Sequence, residues 1–505
     1  MQVPIPYRDV NLISLVMLVI LKVVLAKDMP KVLVWGPGLH SRIVLPVRYF
    51  FIQVQNENGE NVTQSLGEKA FEVTLDQPNG NRVRAWRQVL DRNDGSYIVR
   101  FRMYESHSDL SINILYNGNH IGDSPYKLKG MTYHEKCYCP IKSTKNWLKE
   151  LKCEENYHQM DEDLSQFNHI DMSQVSKAAV SRFSNAGQHS LCHYKIINNQ
   201  IYRKTYGEHV GFKMFTDAIF LSITRKVKLP DVEFFVNLGD WPLVKKGKKA
   251  DLLPIFSWCG SDDSHDIVMP TYDITEATLE MMGRISLDIF STQANSDPKW
   301  EDKIERGFWR GRDSRQERLD LVMMSRKNPD LINASLTNMF FFPKDEEKYG
   351  KIVKAISFFD FFKYKYQINI DGTVAAYRLP YLLAGSSVVF KQDSPYYEHF
   401  YHQLKPDVHY VSFKRDLSNL LEKIRWAKEN DEEVKNIAKN ANNFVRENLN
   451  PKDIYCYHVK LFDKYSKLLK FKPKLEDGFE LVQQPTGIDS NCDCKRKDKK
   501  KKDEL

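Results

Sequence analysis

Beyond its first 26 residues, the 505-residue chain has no apolar run long enough to cross a bilayer, so no stable membrane insertion is expected there. It also lacks the composition of a disordered or fibrous chain: glycine and proline number 23 and 21, and 42% of residues are hydrophobic, enough to bury two or three cores. A basic patch interleaved with aromatic residues is missing too. The net charge is +8, but residues 495–505 hold seven Lys/Arg against three Asp/Glu, so half the excess is a solvated tail and no nucleic-acid partner is expected. The eight cysteines form no paired C-x-x-C and no Cys/His spacing of a tetrahedral site, so no metal is expected. No G-x-G-x-x-G is present around the one nucleotide-like loop described below.

The two ends carry addresses. Arg8, the apolar residues 12–21 and 23–26, and a small Ala26 read as a cleaved signal peptide spanning 1–26; Lys22 interrupts the run and argues against an anchor. Lys502, Asp503, Glu504 and Leu505 spell K-D-E-L, the signal read by the retrieval receptor of the endoplasmic reticulum. Together they imply a resident of the endoplasmic-reticulum lumen with the KDEL receptor as partner. An oxidising lumen makes the cysteines disulfide candidates. One of Cys137, Cys139 and Cys153 is expected to reach Cys456, with Cys492 and Cys494 in the tail and Cys192 and Cys259 undecided. The sequons at Asn61 and Asn333 are expected to be exposed and glycosylated.

Residues 31–133 give short alternating runs, clearest at 49–54, 70–75, 97–103 and 110–115, with Asp94-Gly95 and Asn117-Gly118 as turns; this spacing predicts a β-sandwich. WGPGL (35–39), DRNDGSYIVRF (91–101) and YNGNHIGDSPYKL (116–128) make the segment resemble the filamin-type immunoglobulin-like repeat. No acid–base pair or metal cluster occurs in it, so it reads as a binding module or a structural cap. Residues 134–189 read as a cysteine-containing linker. Asp161-Glu162-Asp163 within it fits a D-x-D pattern but follows no apolar strand, and a solvated helix face is the expected reading.

From Ser190 strands and helices alternate, predicting α/β architecture. DVEFFVNLGDWP (231–242) places Asp240 at the carboxyl end of a buried strand, where it can serve as a general base or merely close a turn with Trp241-Pro242. GFWRGRDS (307–314) sets Arg310 and Arg312 around Gly311 between strand and helix, a phosphate-binding arrangement or a surface basic loop. YQINIDGTVAAYR (366–378) reads as a strand, a loop and a helix over 374–383 with Arg378 about one turn inside it. That is a nucleotide-type unit or an ordinary βαβ unit. Asp416 is expected to cap a helix whose stripe is Leu417, Leu420, Leu421 and Ile424.

VNLGDWP, FWRGRDS, KYKYQINIDGTVAAYRLPYLL, LKPDVHYVSF and DIYCYH together resemble the protein O-glucosyltransferase (Rumi-like) family, and the filamin-like front with the K-D-E-L end resembles its KDEL-motif-containing members. The resemblance implies a GT-B fold of two Rossmann-like halves over 190–470, an acceptor-side half at about 190–300 and a UDP-sugar half at about 301–450, then a basic tail over 471–505. It implies inverting, metal-independent transfer of glucose, or xylose, from a UDP-sugar to serine of EGF-like repeats in secreted or membrane proteins of Notch or fibrillin type, with no cofactor beyond the UDP-glucose or UDP-xylose donor. Asp240 matches the family's base. Arg310, Gly372, Thr373, Val374, Ala375, Ala376, Tyr377 and Arg378 match its UDP-sugar segments, and so does Arg284 in MMGR. The competing expectation is a lumenal client-binding protein that has lost catalysis. Retention of Asp240, Arg310 and Arg378 together favours the enzyme.

Overall fold

The computed structural model describes residues 29–185, 187, 190–247, 252–279, 287–485, 492 and 494. The expected signal peptide, Arg284 and the K-D-E-L residues lie outside the described residues. The chain divides into one compact unit containing 29–42 and 48–132 and a second containing 43–47 and everything from Tyr133 on.

In the first unit β1 (Lys31–Trp35), β2 (Arg48–Gln55), β5 (Ser96–Met103) and β4 (Ala85–Asp91) form one antiparallel sheet in the order β1-β2-β5-β4. A second sheet pairs β3 (Phe71–Asp76) with β6 (His107–Tyr116), and β7 (Asn119–His120) and β8 (Tyr126–Thr132) pair with β6 as well. Alternate residues of both sheets, among them Phe50, Ile52, Val99 and Phe101 against Val73, Leu75, Ile112 and Ile114, share one buried core. The predicted strands are all present; β1 and β4 escaped the pattern because their residues are mostly half-exposed, which blurs a period of two. Gly95 takes φ +77° in its turn, and a Cβ there would meet the Val62 carbonyl oxygen, so only glycine fits.

The second unit holds two sheets. The first is mixed, in the order β14-β12-β11-β9-β10-β21, from β9 (Ser190–Ile197), β10 (Gln200–Gly207), β11 (Val232–Asn237), β12 (Ile255–Ser257), β14 (Ile267–Val268) and β21 (Glu480–Leu481). Only β11, β12 and β14 run parallel; β9, β10 and β21 are antiparallel additions. The second sheet is wholly parallel, in the order β16-β15-β17-β18-β20, from β15 (Ile304–Arg312), β16 (Ile332–Asn338), β17 (Tyr364–Asn369), β18 (Val388–Gln392) and β20 (Val411–Phe413). Its first strand thus pairs with the second on one side and the third on the other, a flavodoxin-like reversal of order between β15 and β17. A two-residue pair, β13 (Gly260–Ser261) with β19 (Tyr396–Tyr397), joins the two halves.

The segment 134–189 is not a linker. Its helices Thr144–Glu150, His158–Ser165 and Met172–Phe183 are built into the second unit, through the Cys153–Cys456 disulfide and the Ile170–Leu469 bridge. Nor is Asp163 on a solvated face. It is buried, and its carboxylate accepts from the Val268 amide at 2.8 Å and from Gln159 at 2.7 Å, while Asp161 pairs with Lys464. The long helix Pro451–Ser466 returns to the first half, setting Phe462 on Phe234 and the Tyr457 hydroxyl on the Val268 carbonyl. The tail is stitched in as well: β21 extends β10, Cys492 pairs with Cys137, and Cys494 with Cys139. Cys192 and Cys259 are free and buried. A 300-residue loop between Cys153 and Cys456 could not have been inferred from spacing, because connectivity depends on the fold.

Asp416 does not cap the helix over Leu420–Glu429. Asn419 holds that position, and Asp416 closes the preceding turn by accepting from the Ser418 amide, with Leu417 at φ +64°.

Glu135 gives a test of this unit's electrostatics. Burial alone would raise its pKa, but Lys226 and Arg225, at 3.5 and 3.1 Å, overcome that and hold it at about 2. A depressed carboxylate contributes stability that is present above its unfolded value and lost as pH falls toward its folded one. The melting temperature of Glu135→Gln should therefore lie below that of the wild type at pH 7, and the gap should close between about pH 4.5 and 2, a linkage worth roughly 3 kcal/mol at most. A gap independent of pH would show that Glu135 acts by shape alone.

Candidate active site

The carboxyl ends of β15 and β17, at the point where the strand order reverses, open into a cavity of about 450 Å³. Asp240 and Asp273 of the first half line it, opposite Arg310, Arg312, Arg318 and the loop 372–378 of the second. Open α/β sheets bind ligands at such a crevice because the loops on either side of the reversal diverge and leave it unfilled.

Asp240 stands three residues past β11, where the sequence had placed it. Asn237 shapes that turn: its Oδ1 accepts from the Gly239 amide at 3.0 Å, and its Nδ2 donates to the Trp241 carbonyl at 2.7 Å and to Ser257 Oγ at 3.1 Å. The Asp240 carboxylate is thereby left facing the cavity, half-buried. Burial raises its pKa, and the positive charge of Arg312 acts against that rise. The other acids of the 260–266 loop are committed elsewhere. Asp266 is buried and accepts from the Leu243 and Val244 amides and from Ser257, and Asp263 accepts from Ser261 and Lys245.

The loop after β17 departs from expectation. The helix covers only Leu379–Ala384, started by Pro380, and Arg378 is its N-cap residue instead of lying one turn inside. Residues 371–378 are held open as a loop by two arginines. Arg318 Nε donates to the Asp371 carbonyl at 2.6 Å, and Arg315 donates to the Gly372 carbonyl at 2.7 Å and to that of Thr373 at 3.2 Å. Carbonyls pinned in this way cannot enter a helical ladder. Gly372 permits the approach, since a Cβ there would come 3.0 Å from Arg318 Nη2. Behind the loop, Val374 and Ala375 pack on Cys259 and Tyr396 of the small joining pair, and Tyr377 meets Tyr272 edge-on at 5.5 Å. Thr373 and Ala376 line the cavity with them.

Arg378 donates to the Arg310 carbonyl at 2.6 Å, and its other N–H groups have no hydrogen-bond partner among the described residues. Burial lowers its pKa to about 10, with Asp273 opposing the drop and Arg312 adding to it. Arg318 falls to about 9, from burial and from the nearby Arg378, Arg312 and Arg315. Each arginine thus weakens its neighbours' hold on a proton, as expected where cations crowd without enough counterions. A bound polyanion would relieve that repulsion. Arg310 lines the same cavity but is partly committed: three of its N–H groups donate to the Trp309 carbonyl and to the carbonyl and Oδ1 of Asn333, each at 2.8 Å.

That commitment corrects one expectation. Asn333 is half-buried within β16, and its Nδ2, the atom a glycan would occupy, donates to Tyr364 Oη at 2.8 Å. Asn61 is exposed, as expected. Sequence reasoning missed Asp273, Arg315 and Arg318. Asp273 lies in no motif, and the two arginines read as the start of an amphipathic helix.

Two α/β halves flanking a cleft, a carboxylate on one wall and a cluster of buried arginines on the other, define a two-lobed enzyme class that seats an anionic ligand beside a base. The comparisons with known proteins are more specific. The family described as Glycosyl transferase family 90 matches residues 148–504, and the Filamin/ABP280 repeat matches 26–127. The chain is 56% identical over 475 residues to Protein O-glucosyltransferase 2 of Danio rerio, covering 94% of each. It is 50% identical over 474 residues to Protein O-glucosyltransferase 3 of Homo sapiens, covering 93% of each. Protein O-glucosyltransferase 1 of Homo sapiens is 31% identical over 299 residues, covering 57% of this chain and 76% of that one. The chain belongs to glycosyl transferase family 90 and is a glycosyltransferase preceded by a filamin repeat.

Proposed function

We propose that this enzyme is a protein O-glucosyltransferase that moves glucose, and also xylose, from a UDP-sugar to a serine of EGF-like repeats in secreted or membrane proteins. The observation that carries the reading is the facing of Asp240 and the arginine-held loop across one cavity. In this mechanism the diphosphate lies against Arg378 and Arg312 and the free donors of Arg310, with the 372–378 loop around the sugar nucleotide. Asp240 takes the proton of the serine hydroxyl as Oγ bonds to the anomeric carbon. The bond from that carbon to the phosphate oxygen breaks, and UDP leaves with the electron pair onto the arginines, so that the sugar inverts. The donor is the only small molecule the scheme requires. Because Arg315 and Arg318 are spent on holding the loop, they act on geometry and not on the leaving charge.

The test is to incubate the purified full chain with folded EGF-like repeats and UDP-glucose, UDP-xylose and other UDP-sugars, and to weigh the products. A gain of one hexose or pentose per repeat is expected, and no gain with any pair would end the reading.

The lumen of the endoplasmic reticulum is the proposed location, on the strength of the two terminal signals and the three disulfides; no helix among the described residues is long and apolar enough to cross a membrane. Deleting residues 502–505 should release folded protein into the medium of expressing cells. Full retention of the truncated form would show that residues 1–26 anchor the chain or that another signal holds it.

A further inference from the structure

Away from the donor cavity, His158 and Glu162 stand one turn apart on the helix His158–Ser165, and His402 faces them from the turn Tyr401–Gln403. Three atoms define the arrangement. His158 Nδ1 and His402 Nε2 are 3.1 Å apart, and each lies 3.9 Å from Glu162 Oε2. A point equidistant from all three is about 2.1 Å from each, the length of a zinc–imidazole or zinc–carboxylate bond. We propose that His158, Glu162 and His402 form a zinc site, three protein ligands with water in the fourth position, that clamps the helix to the turn.

The ligand types select the metal. Imidazole favours borderline transition ions over calcium and magnesium, which take oxygen ligands in larger number. The positions are prepared by the fold and not left to two mobile side chains. Tyr157, next to His158, and His399, three residues before His402, both pack edge-on against the ring of Tyr457, each at 5.0 Å. On the same helix Asp163 is anchored to the Val268 amide, and in the turn Phe400 is buried. The site lies at the rim of a second cavity, of about 390 Å³, lined also by Lys391, Tyr397 and Tyr410. None of its three residues lines the cavity around Asp240, so the ion has no part in the transfer chemistry. Its turn does follow β19, whose Tyr396 meets Trp241 at 6.0 Å beside Asp240, so a clamp here would steady the junction of the two halves. All three ligands are exposed, which makes the ion exchangeable.

The experiment titrates the metal-stripped full chain with Co²⁺ and with Zn²⁺. One equivalent of Co²⁺ should give the visible absorption of a four-coordinate ion and be displaced by Zn²⁺, while Mg²⁺ and Ca²⁺ should not compete. His158→Ala and His402→Ala should each weaken binding at least about tenfold, and the double variant should abolish it. UDP binding by each variant confirms that it is folded. Zn²⁺ should also raise the melting temperature of the wild type and leave that of the double variant unchanged. Absence of stoichiometric binding, or binding retained by the folded double variant, would overturn the proposal; in the first case the two imidazoles simply share a surface hydrogen bond.

Discussion

Asp240→Asn is expected to lower sugar transfer by about 100-fold or more while leaving the affinity for UDP within about twofold. Serine is a poor nucleophile until its proton is removed, and asparagine keeps the shape of the side chain without its basicity. The base stands on the wall contributed by the first half, whereas the arginines belong to the second, so acceptor activation and donor binding should separate. The pH profile provides an independent check. Burial raises the pKa of Asp240, so activity should fall on the acid side at a pH above the ordinary aspartate value, and this limb should vanish with residual activity in the variant. Wild-type turnover by Asp240→Asn would refute the assignment. Asp262, Asp263 and Asp266 are the alternatives the sequence suggests, but the structure passes that place to Asp273, which lines the same cavity and whose pKa is likewise raised by burial.

Arg378→Ala is expected to act on the other side of the reaction, weakening UDP binding about 10- to 100-fold, since hydrogen bonds to a charged group contribute about 1.5–3 kcal/mol. Its fork also joins two parts of the wall, because one nitrogen bonds the Arg310 carbonyl while the rest face the cavity. Arg378→Lys should recover part of the affinity through charge but not the bidentate geometry. Calorimetry with UDP on folded variants reads both effects, and an unchanged dissociation constant for Arg378→Ala would remove this residue from the donor site.

The residues facing the cavity were legible to different degrees. Asp240, Arg310 and the 372–378 loop stood out because strand-then-loop patterns place side chains at a sheet's carboxyl edge. Arg315 and Arg318 were hidden for a physical reason. In sequence they belong to a helix start, and their work, bonding carbonyls that follow more than 50 residues later, exists only after β15 and β17 pair. The same contacts explain why a helix expected over 374–383 shrank to Leu379–Ala384. Asn333 failed as a surface sequon because a local motif carries no information on whether its strand lies within a sheet.

By itself the sequence determined the sandwich followed by an α/β region, the strand ends that carry Asp240 and Arg310, and the terminal signals, because these rest on periodicity and turn chemistry within about a dozen residues. Tertiary structure alone decided the rest. It paired Cys153 with Cys456 and the tail cysteines with Cys137 and Cys139, turned residues 134–189 from linker into wall, set Asp273 beside Arg378, and brought His402 to His158 across 244 residues. Each of these depends on which buried surfaces find one another, a long-range outcome of packing and loop closure that no local pattern encodes.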